Sequence, residues 1–575
     1  MRTDGPTSVL PGITTLGNLG GWGGGTGGNI IEFRGQVVTL EDSLALTRGR
    51  HSVKTGLSYQ QTLSQRQSIP SDDYTYANVA DFLVNIPSSV RLVHTRFEER
   101  PPTPIRFWRL GGYLQDDFKV SRSLIVNFGI RYDYFSVPKV ASDCCRYFNR
   151  SEMGFGPLRP SDSLYDPNYW NFSPRLGFAW TADQAGRTVI RAGASISYTA
   201  HPAFGGLLNV QPVLPNGRPN PGNYTFQRAE VIRYGIKYPD TGRNNQLLLD
   251  LISDPNAPFT LTQATSTYFP QPYAIQYLLS VQRQITGTLA WEGAYVGNRG
   301  IHFNYFRQLN AVDRITGMRP RPDMVTFNYW DSSESTHYHS LQTSLRKRLS
   351  YDLTFETNYT YSNSICYGSN EILQPQAIDF PQDPYNIRAE RGLPTFDARH
   401  RLNGQTIYEL PFARLLGSPG RAAKLAAAGW QISSIFTAAT GQPIVITQPS
   451  SWAGSRPDYV GGAALLQGYR ETLQYLNRAV FAPVRVITAS AATERPGTIG
   501  RNPLRGPGFW NVDVSLAKNF HLTERLRLQV RGDFFNALNH TNLSGLSTSI
   551  NAANFGRLTS TRGARVAQLN TRLTW

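Results

Sequence analysis

The sequence lacks any long apolar segment. No stretch approaches the roughly 18 consecutive apolar residues that a membrane-spanning helix requires, and the mean hydropathy is −0.35 with 40% hydrophobic residues. These values exclude a helical membrane protein. They do not exclude a membrane β-barrel, because barrel strands alternate lipid-facing apolar residues with lumen-facing polar ones and so have a polar average composition.

Sulfur-containing residues are scarce. The chain of 575 residues has 3 cysteines and 4 methionines, which suits a protein that crosses an oxidising periplasm without a disulfide framework. Cys144 and Cys145 are adjacent in one expected outer loop, and Cys366 opens another. We interpret all three as incidental. The alternative is one bridge between the two loops, since a bond between sequence neighbours is strained and an odd count leaves one thiol over.

Motifs for catalysis and cofactor binding are also missing. The sequence has no H-E-x-x-H, G-x-S-x-G or G-K-[ST] motif. Gly23, Gly25 and Gly28 fit G-x-G-x-x-G, but no strand precedes them and no helix follows, so a flexible loop is the favoured interpretation. His337 and His339 could present two imidazoles on one strand face as metal ligands, although a polar pair at a barrel rim is favoured. We predict no enzyme activity, no cofactor and no metal site.

No dense basic run accompanies the net charge of +17, which arises from 57 Lys and Arg against 40 Asp and Glu. The charge could reflect attraction to anionic lipid head groups or acidic ligands. Because the basic residues are spread along the chain, arginines that line a wet lumen and its turns are the favoured explanation. No nucleic-acid partner is predicted.

Long amphipathic strands are the main feature that is present. From Leu124 to Asp133, apolar side chains alternate with polar ones over about ten residues, the length of a tilted strand that crosses a bilayer. Charged residues facing a soluble core would be costly, whereas a strand with one wet face and one lipid face suits an outer-membrane barrel. The residues expected to face the lumen are Arg131, Asp133, Glu356, Asn358, Arg531 and Asp533.

The fold class predicted is an all-β transmembrane antiparallel barrel, with short periplasmic turns and long extracellular loops. The segment 413–428 is the one longer connection on the turn side. The long loops are expected at 137–167, 201–272, 305–335, 366–397, 448–507 and 539–562. About 15 strands are expected, near 35–48, 51–66, 105–119, 122–136, 168–181, 187–200, 273–285, 287–304, 336–349, 351–365, 398–412, 429–447, 508–520, 525–538 and 563–575.

The two ends of the chain carry different signals. Trp575 ends the sequence, with Leu573 and Leu569 on the same strand face, a pattern that resembles the signal read by the barrel-assembly machinery. The N-terminus has no apolar region of a signal peptide. Fifteen up-and-down strands cannot close antiparallel throughout, so we expect further strands to precede Gly28 and the sequence to be a fragment.

Eight motifs in order resemble one family, the TonB-dependent receptors of the Oar-like type, which carry an N-terminal carboxypeptidase-regulatory-like domain. Each motif is weak alone, but each falls on the expected strand, and together they cover about residues 35 to 575. They are YLQDDFK with LIVNFGIRY at 113–132, FSPRLGFAW at 172–180, YVGNRG at 295–300, DARHR at 397–401, GQP at 441–443, GPGF at 506–509 with Asp513, and FFNALNH at 534–540.

The resemblance implies a barrel of about 22 strands with a plugged lumen, of which this chain would supply roughly the eighth to the twenty-second. Residues 1–34 are then a glycine-rich loop remnant and residues 35–575 the C-terminal part of the barrel. No plug domain, TonB box or N-terminal β-sandwich is recognised.

The function implied is uptake of a scarce nutrient across the bacterial outer membrane, with a siderophore, a glycan or a peptide as the ligand class. The alternative is a non-transporting Oar-like protein with a structural, adhesion or secretion role. A soluble all-β module such as a propeller is disfavoured, because propeller strands are usually shorter. The expected partners are outer-membrane lipid, the barrel-assembly machinery, an unknown small ligand, and the TonB system through a plug not recognised here.

Overall fold

Long antiparallel strands dominate the computed structural model of the chain. The ranges it describes are 12–15, 30–69, 72–93, 103–140, 145–150, 159–161, 163–201, 210–212, 223–238, 246–248, 250–251, 259–311, 313, 316, 318–320, 324–368, 380–415, 417, 420–448, 454–487, 492–523 and 525–575.

The described ranges contain fifteen long strands that pair in chain order. They are β1 Ile30–Arg48, β2 His51–Ile69, β3 Thr103–Lys119, β4 Leu124–Phe135, β5 Phe172–Thr181, β6 Thr188–Tyr198, β7 Tyr273–Gln284, β8 Leu289–Gln308, β9 Met324–Ser350, β10 Leu353–Ile365, β11 His400–Glu409, β12 Trp430–Ala439, β13 Phe509–His521, β14 Arg527–Phe535 and β15 Val566–Thr574.

These strands form one antiparallel sheet with barrel topology. Each pairs with the next in sequence, from β1 with β2 to β14 with β15. Among the residues described, no register joins β1 to β15. Side chains on both terminal strands are correspondingly exposed, with Leu44 at 67% and Leu569 at 76%.

Alternation along each strand gives the sheet two chemically distinct faces. The register places Phe128 opposite Leu176, and Ile130 opposite Leu114, so these residues lie on one face, named here the apolar face. Arg131 lies opposite Tyr113, on the other face, named here the polar face. In a membrane barrel the face with exposed aliphatic side chains contacts lipid.

Aromatic residues mark both ends of the apolar face. Trp180 and Trp291 lie near the end where strands are joined by short turns. Trp108 and Tyr361 lie toward the opposite end, where the connections are long. All four are at least 38% exposed. Two aromatic girdles that flank an aliphatic band are typical of barrels at the two membrane interfaces.

The connections at the short-turn end are compact. The turn between β1 and β2 has only two residues, and its Gly49 adopts a φ of 60°, which glycine tolerates without steric cost. The longer connection between β11 and β12 forms two short helices, Phe412–Leu415 and Arg421–Ala427. Lys518 of β13 caps the second helix, since its Nζ donates to the carbonyl oxygens of Leu425 and Ala426 at 2.8 and 2.9 Å.

The long connections contain secondary structure of their own. The short helices and 3-10 turns are Val79–Leu83, Arg228–Tyr234, Ile387–Glu390, Tyr469–Thr472 and Arg478–Val480. The short strands are Gly12–Thr15, Asp73–Tyr76, Ser89–Val93, Lys139–Val140, Cys145–Arg150, Arg159–Ser161, Val210–Pro212, Asn223–Gln227, Phe259–Ser266, Pro443–Ile444, Asp458–Tyr459, Phe481–Ala482, Val486–Ile487, Ala492–Thr493, Leu504–Arg505, Asn542–Leu546 and Leu558–Arg562.

Three hydrophobic cores lie largely within these connections. The first loop cluster packs Tyr74, Tyr76, Val90, Leu92, Phe226, Val231, Ile236 and Leu248. The second packs Ile105, Val137, Leu164, Tyr165, Phe269, Phe306 and Trp330. The third packs Ile444, Ile446, Ala464, Tyr475, Leu476, Val480, Phe481, Ile499, Ile550, Phe555 and Leu558. Each core draws on connections far apart in sequence, so the long loops fold against one another.

Several boundaries expected from the sequence are corrected. The expected loop at 1–34 contains the strand Gly12–Thr15, and β1 begins at Ile30 because its pairing with β2 continues to Ile69. β9 begins at Met324 instead of 336, since its start pairs with β8 and, in parallel, with Phe259–Ser266. β12 ends at Ala439 instead of 447. The glycine motif at Gly23 to Gly28 lies outside the described residues.

No helix in the described part of the chain has the length and apolar character needed to cross a membrane.

Candidate functional site

The structure places the six lumen candidates on one face of the sheet. Arg131 and Asp133 lie on β4, Glu356 and Asn358 on β10, and Arg531 and Asp533 on β14. Their strand partners include Ser344, Gln405, Ser515 and Asn570. All six therefore belong to rows of the polar face. They form three separate groups on that face.

The first group is an ion-pair cluster on β3 and β4. Asp133 is 2% exposed, and its carboxylate accepts hydrogen bonds from Arg131 Nε at 2.7 Å and from Arg109 Nε at 3.0 Å. Arg131 Nη2 also donates to the hydroxyl of Ser58 on β2 at 3.2 Å. Two guanidinium groups share one carboxylate, so the cluster retains a positive charge. Its geometry is fixed on every side by hydrogen bonds.

Gly111 provides the space for this cluster. A Cβ at this position would lie 2.3 Å from Arg131 Nη2, 2.7 Å from Asp133 Oδ1 and 2.8 Å from Ser58 Oγ. These distances are far below a normal contact, so any larger residue would displace the ion pair. The sequence pattern gives no sign of this requirement, because the three neighbours come from two other strands.

The second group repeats the first on β13 to β15. Arg531 Nε donates to Asp533 at 2.7 Å, and Arg531 Nη2 donates to the hydroxyl of Ser515 at 3.0 Å. Asn570 Nδ2 donates to the other oxygen of Asp533 at 2.8 Å. The shared pattern is an arginine and an aspartate two residues apart on one strand, with a serine hydroxyl that accepts from the arginine. The serine is two strands away in the first group and on the adjacent strand in the second. Residues at i and i+2 share a strand face, so the pairing follows from the spacing.

The third group is more exposed. Arg346 of β9 donates to Glu356 at 2.8 Å, and the Arg346 side chain is 63% exposed. Asn358 lies one row away, between Ser344 and Asn403. An exposed pair of this kind adds little to stability. These side chains remain available to water or a ligand.

A cleft of about 520 Å³ adjoins the first group. Its lining includes Glu41, Gln60, Arg109, Tyr113 and Arg131. The cleft therefore presents both charge signs and one aromatic ring along β1 to β4. The sequence pattern does not predict this cleft. Strand alternation indicates the sheet face on which a side chain lies, but it does not indicate which residues are its neighbours on other strands.

A buried charge network joins two long connections. The sequence pattern did not predict this network either. Glu390 is fully buried, and both of its carboxylate oxygens accept from the Arg456 guanidinium at 2.7 and 3.0 Å. Arg501 lies 3.8 Å from the same carboxylate. Gln382 links the two connections further, since its Oε1 accepts from the backbone N–H of Arg456 at 3.0 Å. The network fixes residues 380–390 against residues 456–501.

His201 is the most strongly perturbed histidine with a described environment. Its ring stacks on Phe269 with centroids 4.2 Å apart, and its nitrogens contact the Asn304 side-chain oxygen and the Phe269 carbonyl oxygen at 2.9 and 3.2 Å. Burial lowers the pKa of His201 to about 4, against smaller opposing effects of its hydrogen bonds. The ring is therefore neutral at physiological pH and forms part of the second loop cluster.

The sequence also indicated a histidine pair, His337 and His339, and three cysteines as candidates. His339 Nδ1 lies 2.8 Å from the Tyr295 hydroxyl and 3.3 Å from that of Tyr277, on the apolar face. Within the described ranges, no group of three or more metal-ligating side chains occurs. Cys366 is buried and exchanges backbone hydrogen bonds with Gly392. Cys144 lies outside the described residues, as does the side chain of Cys145.

The C-terminal residues lie on the last strand. Leu573 pairs with Leu528 and Leu569 with Gly532, so both leucines lie on the apolar face. Trp575 follows the end of β15 and is 87% exposed. This places an aromatic side chain at the short-turn end, with aliphatic side chains behind it on the same face.

Comparisons with known proteins concern both family and fold. The family model described as "Outer membrane beta barrel domain" matches residues 2–568. The outer membrane transporter YddB from Escherichia coli is similar in structure, with a TM-score of 0.55 and 12% identity over 98% of this chain and 57% of that one. The comparison with curated proteins gives no match.

Two other solved structures are similar at lower TM-scores. The ferripyoverdine receptor of the outer membrane of Pseudomonas aeruginosa has a TM-score of 0.45 and 10% identity, over 94% of this chain and 48% of that one. The FrpB iron transporter from Neisseria meningitidis has a TM-score of 0.41 and 12% identity, over 94% and 55%. The chain spans about half the length of these structures.

Proposed function

The chain belongs to the outer membrane β-barrel domain family and lies in the bacterial outer membrane, and on that premise we propose that it is the barrel of a TonB-dependent receptor of the Oar-like type. In this proposal the polar face lines a path for a scarce nutrient. The proposed ligand is a small solute of the siderophore, glycan or peptide class. Arg131, Asp133, Glu356, Asn358, Arg531 and Asp533 are proposed to line the path.

One observation carries the proposal: charged, hydrogen-bonded groups recur along one face of a sheet whose other face is aliphatic. A purely structural wall would need only a neutral polar interior. The Arg131–Asp133 and Arg531–Asp533 units instead hold fixed charges at defined positions. Fixed charges in a water-filled passage attract and orient ionic solutes. In this scheme, passage of a large nutrient also needs a plug within the same protein, and the TonB system would act through that plug.

The accessibility of introduced cysteines tests which face of the sheet lines the path. In a background with Cys144, Cys145 and Cys366 replaced by serine, we would introduce Arg131→Cys and Arg531→Cys as polar-face probes, because these side chains are 20% and 46% exposed. Ile130→Cys and Leu528→Cys are matched probes on the apolar faces of the same strands. A membrane-impermeant maleimide is expected to label the first pair in bilayer vesicles and to spare the second pair. Equal labelling of both pairs would contradict the assignment.

Ion flux tests transport against the alternative of a structural, adhesion or secretion role. The protein would be reconstituted in planar bilayers with a potassium chloride gradient, and the reversal potential measured. Replacing Arg131 and Arg531 with glutamate is expected to shift selectivity toward cations. An absence of conductance, or conductance unchanged in selectivity by both substitutions, would favour the non-transporting role.

A further inference from the structure

A cluster of cationic and aromatic side chains lies on the apolar face of β7 to β11, away from the polar path. Register brings Arg299 of β8 opposite His337 of β9. The row below holds Tyr277 and His339, on either side of Gly297. Arg299 and Arg391 lie close enough to His337 for their charges to act on it. Strand β8 and the connection before β11 thus concentrate positive charge on a surface that otherwise contacts hydrocarbon.

Arg399 completes the cluster, named here the cationic rim and defined by Arg299, Arg391 and Arg399. The Arg399 guanidinium lies over the Tyr361 ring at 5.9 Å, and His400 packs against that ring with centroids 5.1 Å apart. Arg299 and Arg391 are exposed. In the part of the chain that the structure describes, none of the three arginines forms an ion pair.

Within the described residues, the carboxylates beside the cationic rim in sequence do not neutralise it. Glu334 of β9 is 2% exposed and accepts from the backbone N–H of Tyr367. Asp397, beside β11, is 3% exposed and pairs with Arg505. Both carboxylates are therefore turned inward. Among the residues that the structure describes, the rim therefore presents a net positive charge outward.

The height of the rim matches one membrane interface. β8 starts at Leu289, at the short-turn end, and Arg299 follows ten residues later. Ten residues span about 33 Å along a strand, and a strand tilt of about 40° reduces this to about 25 Å along the membrane normal. That is the height of the apolar band of an outer-membrane barrel. The rim therefore lies at the head-group level on the long-loop side.

The surface below the rim is aliphatic. Leu279 and Leu341 occupy the same row as Tyr295 and Tyr361 and are 49% and 53% exposed. Val281 and Leu402 lie one row further from the rim. Cations at the head-group level above an exposed aliphatic surface complement an anionic amphiphile. Guanidinium groups bind phosphate oxygens in bidentate fashion, and tyrosine and histidine can donate further hydrogen bonds.

We propose that the cationic rim binds the phosphate of a phosphorylated lipid of the outer leaflet, with the acyl chains against the leucine rows. The site is independent of nutrient uptake, because it lies on the opposite face of the sheet from the path. Bound lipid would hold β7 to β11 and the connection at 391–399 together at the membrane surface.

Native mass spectrometry of the protein in neutral detergent tests the proposal, with diphosphorylated lipid A as the probe. The Arg299→Gln, Arg391→Gln, Arg399→Gln variant is expected to bind lipid A at least tenfold more weakly than the wild type. The control variant replaces Arg175, Arg191 and Arg401 of the polar face with glutamine, which removes the same charge and should leave binding unchanged. Replacing the three rim arginines with lysine should restore part of the binding, because the charge returns without the bidentate geometry.

Two further probes separate lipid from free phosphate. Dephosphorylated lipid A should bind the wild type and the rim variant equally weakly. Inorganic phosphate at millimolar concentration should fail to displace lipid A, because it lacks the acyl contacts. The proposal is overturned if the rim variant retains wild-type affinity, if the control variant loses as much, if removal of the lipid phosphates has no effect, or if inorganic phosphate competes fully.

Discussion

At the scale of single residues, side-chain direction determines what a position tolerates. Leu278 and Leu279 are neighbours on β7, but Leu278 pairs with Gly193 and Val296 on the polar face, whereas Leu279 pairs with Tyr295 on the apolar face. They are 41% and 49% exposed. Similar exposure therefore means contact with water in one case and with hydrocarbon in the other.

A charge at these two positions is expected to have opposite consequences. Leu279 lies about midway along the apolar band, so Leu279→Arg should destabilise the barrel in bilayers by about 2–4 kcal/mol. Leu278→Arg should change stability little, since its guanidinium enters the wet face. Urea unfolding of both variants in lipid vesicles measures the difference. Equal losses would show that the faces are wrongly assigned.

The space at Gly111 leads to a second residue-scale prediction. Gly111→Ala should destabilise the protein by about 1–3 kcal/mol, because the added methyl group overlaps Arg131, Asp133 and Ser58. Gly193→Ala is the control on the same face, since its nearest neighbour would lie 3.5 Å away, an ordinary contact. The two melting temperatures are compared, and a larger loss at Gly193 would refute the explanation.

Single residues also show how much of the candidate site could be predicted from the sequence. The spacing of Arg131 and Asp133, and of Arg531 and Asp533, placed each pair on one face, and the pairs are hydrogen-bonded as that spacing allows. Ser58 and Arg109 could not be foreseen as partners, because register sets neighbours across strands and strand alternation does not specify register. The role of Gly111 depends on those same partners.

At the scale of elements, the fifteen strands were foreseen better than their connections. Alternation and turn residues define a strand locally, and each of the fifteen expected strands overlaps one in the structure. The loop clusters depend on contacts across long sequence separations, such as Glu390 with Arg456, for which no local pattern exists. The two helices within 412–427 were likewise seen only as a longer connection.

The Glu390 network should stabilise the folded connections without affecting the stability of the wall formed by strands β1 to β15. Glu390→Gln leaves Arg456 and Arg501 buried with a neutral partner, and such a change costs about 3–5 kcal/mol. We expect faster hydrogen exchange and proteolysis within 380–397 and 454–507, with β1 to β15 unchanged. Arg495→Gln is the control, because its pair with Asp458 is about half exposed on the arginine side. Exchange faster throughout the wall would contradict local action.

The second loop cluster is expected to loosen in acid. The pKa of His201 is lowered from 6.5 to about 4 in the folded cluster, so above pH 6.5 the ring is neutral in both folded and unfolded forms and has no effect. Between pH 6.5 and 4 the unfolded form takes up a proton first, and local stability falls by up to about 3 kcal/mol. Below pH 4 the loss levels off.

Protection factors for residues 163–169 and 265–271, measured between pH 7 and 4, test this dependence. His201→Gln keeps a polar side chain without a titrating group and should remove the pH dependence. A variant that loosens in acid as much as the wild type would assign the effect to another group.

At the scale of the whole molecule, the apolar band sets the membrane that the barrel fits. Aromatic residues at both ends of the apolar face enclose aliphatic rows that correspond to about 25 Å of hydrocarbon. We expect unfolding stability to be highest in bilayers of about that hydrocarbon thickness and to fall in thicker or thinner ones. Phosphatidylcholines of graded acyl length provide the measurement, and stability independent of acyl length would contradict the assigned band.

The loop clusters affect how the sequences of related barrels can diverge during evolution. The first and third have hydrophobic cores built from connection residues, whereas the wall of β1 to β15 is held together by pairing between adjacent strands, so these parts have largely separate folding requirements. Insertions, deletions or wholesale exchange of outer segments can then accumulate without altering strand tilt or stagger. Grafting the connections at 366–399, 440–508 and 536–565 together into a related barrel should transfer their recognition properties as a cassette, whereas grafting one alone would divide a shared core or the buried Glu390–Arg456 pair.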